Sequence, residues 1–159
     1  MMRVGQGYDL HRLEPGRTLV LGGIAVPFDK GLAGHSDADV VAHAIIDALL
    51  GAAALGNIGL MFPDTDPAFH GADSMALLAT VAQKLVSERW KIANIDATIV
   101  AEAPKLNPYL PRMAERIGSA LGIDPGAISI KVKTNERVGP EGRGEAISAQ
   151  AVALIERAP

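Results

Sequence analysis

Along this chain, short apolar runs rich in β-branched residues alternate with longer runs of helical period. The two kinds never separate into blocks. Such alternation points to an α/β or α+β layer, with the helices on one face of a mixed sheet. Arg3–Tyr8 reads as a first strand. Thr18–Leu21 and Ile24–Val26 flank Gly22-Gly23, a two-residue hairpin signal. Pro27–Gly34 reads as a loop. Ser36 suits the N-cap of a helix running to about Leu55, with Asp37 and Asp39 near its positive end. Gly56–Asp73 disfavours regular structure and is long for a loop inside a compact domain, which marks it as functional. Ser74 then caps a second helix to about Trp90, and Ile92–Val100 reads as a buried strand. Pro108 and Pro111 start a third helix that stops near Gly122. Ile128–Lys133 alternates as a strand, and Thr134–Gly144 is a second long polar loop. In the last segment, Ile147, Ala151, Leu154 and Ile155 have helical spacing.

The 159 residues fit one domain, 1–159, of α+β class with a sheet of four-stranded type. Aromatic residues make up only 4%, so alanine, valine, leucine and isoleucine must fill the core. Small side chains bury less area per residue, which predicts an oligomer. A net charge of −3 excludes a duplex-binding surface of the usual basic kind. No apolar run approaches the ~20 residues of a membrane span. Met1-Met2-Arg3 leads into a strand-like segment without a signal-peptide core, and cysteine is absent; the expected location is the cytoplasm.

Three of the four histidines lie in two short polar segments and the helix that follows. Asp9 and His11, at i and i+2 on a strand end, point the same way. His43, one turn into a helix, can supply a third metal ligand. In a chain without cysteine, zinc must be held by nitrogen and oxygen, and three protein ligands leave the open position of a catalytic site. The Asp-x-His pattern is short, and hydrogen-bonded core residues would also satisfy it. Asp47, one turn beyond His43, can orient that ring or be a plain helix charge. His35-Ser36 at a helix start makes a natural phosphate site. Phe62-Pro63-Asp64-Thr65-Asp66 has strong turn chemistry, and its carboxylates could also reach substrate hydroxyls. Lys133-Thr134-Asn135-Glu136 and Gly139–Glu145 can cradle phosphate without being a Walker A loop. Glu136 could ligate magnesium. His70 reads as a surface residue without a role.

In this order, the segments resemble one family. Gly7-Tyr8-Asp9-Leu10-His11, Gly34–Asp39 and His43–Gly56 carry the first part of the likeness. Phe62–Pro67, Ala103-Pro104-Lys105, Lys133–Glu136 and Gly142-Arg143-Gly144-Glu145 carry the rest. The chain is similar to the 2-C-methyl-D-erythritol 2,4-cyclodiphosphate synthases of the non-mevalonate route to isoprenoids, over essentially its whole length. The resemblance implies a phosphorus–oxygen lyase acting on 4-diphosphocytidyl-2-C-methyl-D-erythritol 2-phosphate and releasing CMP. It also implies a homotrimer with active sites between subunits, an axial cavity, and a C-terminal strand rather than a helix.

Carried over residue by residue, Asp9, His11 and His43 would hold zinc or another divalent transition metal. Glu136 would hold magnesium or manganese bridging two phosphates. His35 and Thr134 would be catalytic. The substrate would lie against Asp9, Leu10, His11, His35, Ser36, Asn57, Ile58, Gly59 and Phe62–Asp66. Ala101, Glu102, Ala103, Pro104, Lys105, Leu106 and Asn107, with Lys133, Thr134, Asn135 and Glu136, would enclose the cytidine. Arg143 would also contact the substrate and, with Glu145, would sit near the trimer axis. Three positions depart from the family pattern. Asn57 stands where an aspartate is typical, Pro140 where an aromatic is common, and Lys133–Glu136 replaces a threonine-rich stretch. A zinc phosphohydrolase using the same three ligands is the alternative enzyme class, and a non-catalytic module binding an isoprenoid diphosphate is a third reading.

Overall fold

In the computed structural model, which describes residues 1–159, strand β1 (Met2–Pro15) runs beneath helix α1 (Val40–Ala53) at very short range. Glycine makes the approach possible. A Cβ on Gly7 would sit 1.8 Å from the Ala44 carbonyl oxygen, and one on Gly5 would sit 1.9 Å from that of Ala48. Ala44, Ala48 and Ala52 line the facing side of the helix and are buried. Small residues on both partners thus bring two backbones together, a different use of the alanine-rich composition from simple core filling.

The other strands are β2 (Leu19–Leu21), β3 (Ile24–Val26), β4 (Lys30–Leu32), β5 (Trp90–Val100), β6 (Ile128–Lys133) and β7 (Ala146–Arg157). They form a five-stranded mixed sheet, order β4-β1-β7-β5-β6, and a separate β2–β3 ribbon. Only β5 and β6 pair in parallel. The helix-covered face carries Ala149, Ala151 and Ala153 of β7 with Ile95, Ala97 and Ile99 of β5, all buried. The opposite face leaves Val4 68% and Tyr8 50% exposed. No helix is long and apolar enough to cross a membrane.

Four expectations change. The sheet has a fifth strand because Lys30–Leu32, inside the expected Pro27–Gly34 loop, pairs with Leu13–Pro15. Three residues are too few to show a period. The C-terminal segment is a strand, as the family resemblance implied and against its helical spacing. Its buried positions repeat every two residues, but they are mostly alanine, and Val152 and Leu154 on the other face blur the alternation. Helix α1 is capped by Asp39, not Ser36, and α3 (Ser74–Ser87) by Asp73, not Ser74. In each case the capping aspartate immediately precedes the helical run. The Gly56–Asp73 and Thr134–Gly144 loops contain single turns of helix, α2 (Ile58–Met61) and α5 (Gly139–Gly142). The remaining helix, α4, spans Leu110–Leu121.

Gly7→Ala must push α1 off the sheet, because the clashing atom is backbone. We expect a loss of about 3 kcal/mol or more in denaturant unfolding, at the top of the overpacking range.

Candidate metal centre and its cleft

Asp9 and His11 lie on the helix-facing side of β1, level with Ala149 and Ile147 of β7. His43 enters from the first turn of α1. Asp9 Oδ2 is 3.1 Å from His11 Nε2 and 3.0 Å from His43 Nδ1. One ligand atom from each residue can be chosen so that all three lie within 4.8 Å of one another. The His11 Nδ1, on the far side of its ring, is 2.6 Å from the Ala33 carbonyl oxygen. A carbonyl only accepts, so Nδ1 carries the proton and donates it, leaving the Nε2 lone pair toward Asp9. An imidazole lone pair converging on a carboxylate is a donor set that suits a divalent cation. Burial pushes the Asp9 carboxyl up, but with protons in place of a metal on the facing ring nitrogens, hydrogen bonds from His11 and His43 and their positive charge outweigh it and hold it well below the carboxylate range. The bond to Asp9 raises His11.

Asp39 fixes the start of the helix that carries His43. Its Oδ1 accepts from the backbone N–H groups of Gly22, Val41 and Ala42 at 2.9–3.1 Å, and its Oδ2 from Gly23 at 2.8 Å. One carboxylate therefore clasps the β2–β3 turn to the N-terminus of α1. Gly22 and Gly23 have φ of +57° and +73°, the left-handed pair that such a two-residue turn requires. Burial drives the Asp39 carboxyl up to about 6 even against these bonds.

The three residues line a cleft of about 380 Å³ with His35, Ser36, Asp47, Ile58, Gly59, Phe62, Asp64, Phe69 and Leu77. That is the size of a small-molecule site. His35 Nε2 is buried there without a hydrogen-bond partner. An orphaned ring nitrogen beside a cleft is a ready contact for a polar ligand. His70, expected to be idle, packs edge-on against His35 with Nδ1 atoms 3.4 Å apart. Asp47 does not orient His43. It accepts the Ile58 N–H at 2.7 Å and so ties α2 to α1. The ring's partners are instead Ser74 and Ser36, with hydroxyls 2.9 and 3.2 Å from Nε2. Ser74 is remote in sequence and reads as a cap, so no local signal marks it.

Leu10, Asn57, Pro63, Thr65 and Asp66 do not line this cleft. Leu10 points to the open sheet face, while Asn57 and Asp66 cap short helical turns. Ala101–Asn107, Lys133–Glu136 and Arg143 also lie outside it. The first two of these groups leave the adjacent parallel strands β5 and β6 at the same end, joined by Ala101 N–H to Lys133 O at 2.9 Å. Thr134 and Glu136 touch through their side chains, and Arg143 pairs with Glu145 at 2.9 Å, all exposed.

Fold and site together define an α+β protein with a two-histidine, one-carboxylate group able to hold a divalent metal. The chain belongs to the YgbB family, whose model matches residues 2–156. A 2-C-methyl-D-erythritol 2,4-cyclodiphosphate synthase of Symbiobacterium thermophilum is 58% identical over 154 residues, covering 97% of this chain and 98% of its own. Among solved structures, the synthase of that name from Plasmodium vivax aligns with a TM-score of 0.86 and 34% identity over the full length of both chains. The bifunctional IspDF of Campylobacter jejuni aligns with a TM-score of 0.95 and 36% identity, covering 99% of this chain and 42% of that one.

A raised carboxyl keeps its proton in the folded state at a pH where the unfolded chain, with an ordinary value of 3.8, has lost it. The Asp39 contribution to stability therefore falls as pH rises from about 4 through about 6. Asp39→Asn cannot titrate. The stability advantage of the native protein over this variant should narrow across that window in urea unfolding at several pH values. A constant difference would contradict the assignment.

Proposed function

We propose that this chain converts 4-diphosphocytidyl-2-C-methyl-D-erythritol 2-phosphate into 2-C-methyl-D-erythritol 2,4-cyclodiphosphate and CMP. The observation that carries the reading is the convergence of Asp9, His11 and His43 in one cleft with the unpartnered His35 Nε2. The names of full-length relatives support the product.

The reaction is an intramolecular displacement. An oxygen of the 2-phosphate forms a bond to the β-phosphorus, the β-phosphorus–oxygen bond to the α-phosphate breaks, and CMP departs with that bridging oxygen. The nucleophile belongs to the substrate, so the protein's work is to align the reacting groups and offset phosphate repulsion. Zinc held by Asp9, His11 and His43, and magnesium held by Glu136, would neutralise phosphate charge and polarise the bond that breaks. His35 Nε2 donates to a phosphate oxygen, and Thr134 donates its hydroxyl to the departing CMP. Asn57, Gly59 and Phe62–Asp66 hold the methylerythritol phosphate. Ala101–Asn107 and Lys133–Glu136 enclose the cytidine.

The loop residues outside the cleft support a site completed by a second copy. So do Val4, Tyr8, Leu10 and Val152, which form an exposed apolar row on the open sheet face. A homotrimer, with Arg143 and Glu145 toward its axis, satisfies both observations.

Phosphorus NMR of the purified protein with substrate, zinc and magnesium should show a cyclic diphosphate and equimolar CMP. Chelation should stop the reaction, and returning the metals should restore it. His43→Ala should lower turnover by about a thousandfold or more without unfolding the chain. Linear phosphates in place of the cyclic product would mean a hydrolase. Tight CMP binding without turnover would mean a binding module.

A further inference from the structure

The hydrogen bonds around His43 lead to Ser74, a residue that none of the family motifs above includes. Ser74 is fully buried at the start of α3. Its hydroxyl donates to Asp37 Oδ1 in a very short contact, and its backbone N–H donates to Asp37 Oδ2 at 2.9 Å. A serine hydroxyl has one proton, and here Asp37 takes it. The Ser74 Oγ can then only accept from His43 Nε2, 2.9 Å away. That bond requires the proton on Nε2; Asp9 Oδ2, 3.0 Å from Nδ1, is the competing acceptor until a metal lies between them, and the Nδ1 lone pair then faces the metal.

Ser36 cannot make this choice. Its Oγ is 3.2 Å from the same Nε2 and accepts the Ala38 N–H, but its own proton is not committed. It can give to either neighbour or none, so it tolerates both tautomers. Asp37 also accepts the Asp39 N–H at 3.1 Å, which holds its carboxylate in place. His11 has the matching arrangement in simpler form, with Ala33 O as its fixed acceptor.

We propose that Ser74, held by Asp37, is a positioning residue that selects the Nε2–H tautomer of His43 and so presents Nδ1 to the metal. This rests on the reading of Asp9, His11 and His43 as metal ligands. The segments are also linked through loop contacts, Gly71 N–H to His35 O at 2.8 Å and Asp37 N–H to Ala72 O at 3.2 Å. The Ser74–Asp37 pair therefore couples the 35–39 segment and α3 to the metal centre. A residue serving the loop junction alone would alter stability without touching the ring.

The test is nitrogen-15 NMR of histidine-labelled, zinc-free protein above pH 8 in an Asp9→Ala background, which removes the competing acceptor, with and without Ser74→Ala; zinc affinity from chelator competition and a thermal melt are measured on the native chain and on Ser74→Ala alone. With Ser74 present, His43 should show the Nε2–H form. Adding Ser74→Ala should give a mixture, and Ser74→Ala alone should lower zinc affinity about ten- to a hundredfold. His43 protonated on Nδ1 in Asp9→Ala with Ser74 present would overturn the proposal by itself, even if Ser74→Ala fails to fold. So would a variant that melts earlier yet keeps its tautomer and binds zinc as tightly as the native protein. A native chain that binds no zinc would refute the metal reading instead, leaving the tautomer measurement to judge Ser74.

Discussion

The contact between α1 and the glycines of β1 is the constraint on which the site depends. Gly5 and Gly7 let the helix backbone settle where any larger residue would collide with carbonyl oxygens. His43 belongs to that helix, and Asp9 and His11 belong to that strand. The 3.0 and 3.1 Å separations among them are consequences of how closely the two elements pack. A lift of α1 by the width of one methyl group would separate His43 from Asp9 and His11.

The rest of the fold holds that pair of elements still. Asp39 joins the hairpin turn to the helix start, and Asp47 joins α2 to the helix one turn beyond His43. Both carboxylates accept backbone N–H groups that would otherwise be buried or frayed. Acidic residues clustered near His43 thus divide into different tasks: Asp9 completes the group able to hold a metal, Asp37 accepts from Ser74, Asp39 caps, and Asp47 braces a neighbouring loop. Charge and spacing alone give them no ranking.

Much of the site could be read in the sequence because its parts are local. Asp9-Leu10-His11 on a strand and His43 on a helix are short patterns with fixed directions, and their order along the chain carries the family resemblance. What could not be read depends on distance in space. Ser74 looks like a cap until α3 is seen against α1, and Asp47 looks like a partner for His43 until α2 is seen beneath it. The C-terminal strand was hidden for another reason. A strand buried beneath a closely approaching helix must use alanine, and alanine fits either period, so the spacing of its few large residues pointed to a helix. His70 reads as idle because its partner, His35, is far from it in sequence.

The most direct test of the account is anomalous diffraction at the zinc edge from crystals grown with the metal. The structure predicts one strong peak bounded by Asp9 Oδ2, His11 Nε2 and His43 Nδ1, on the cleft side of β1. No peak there, or a metal bound through His43 Nε2 with the ring turned over, would contradict it.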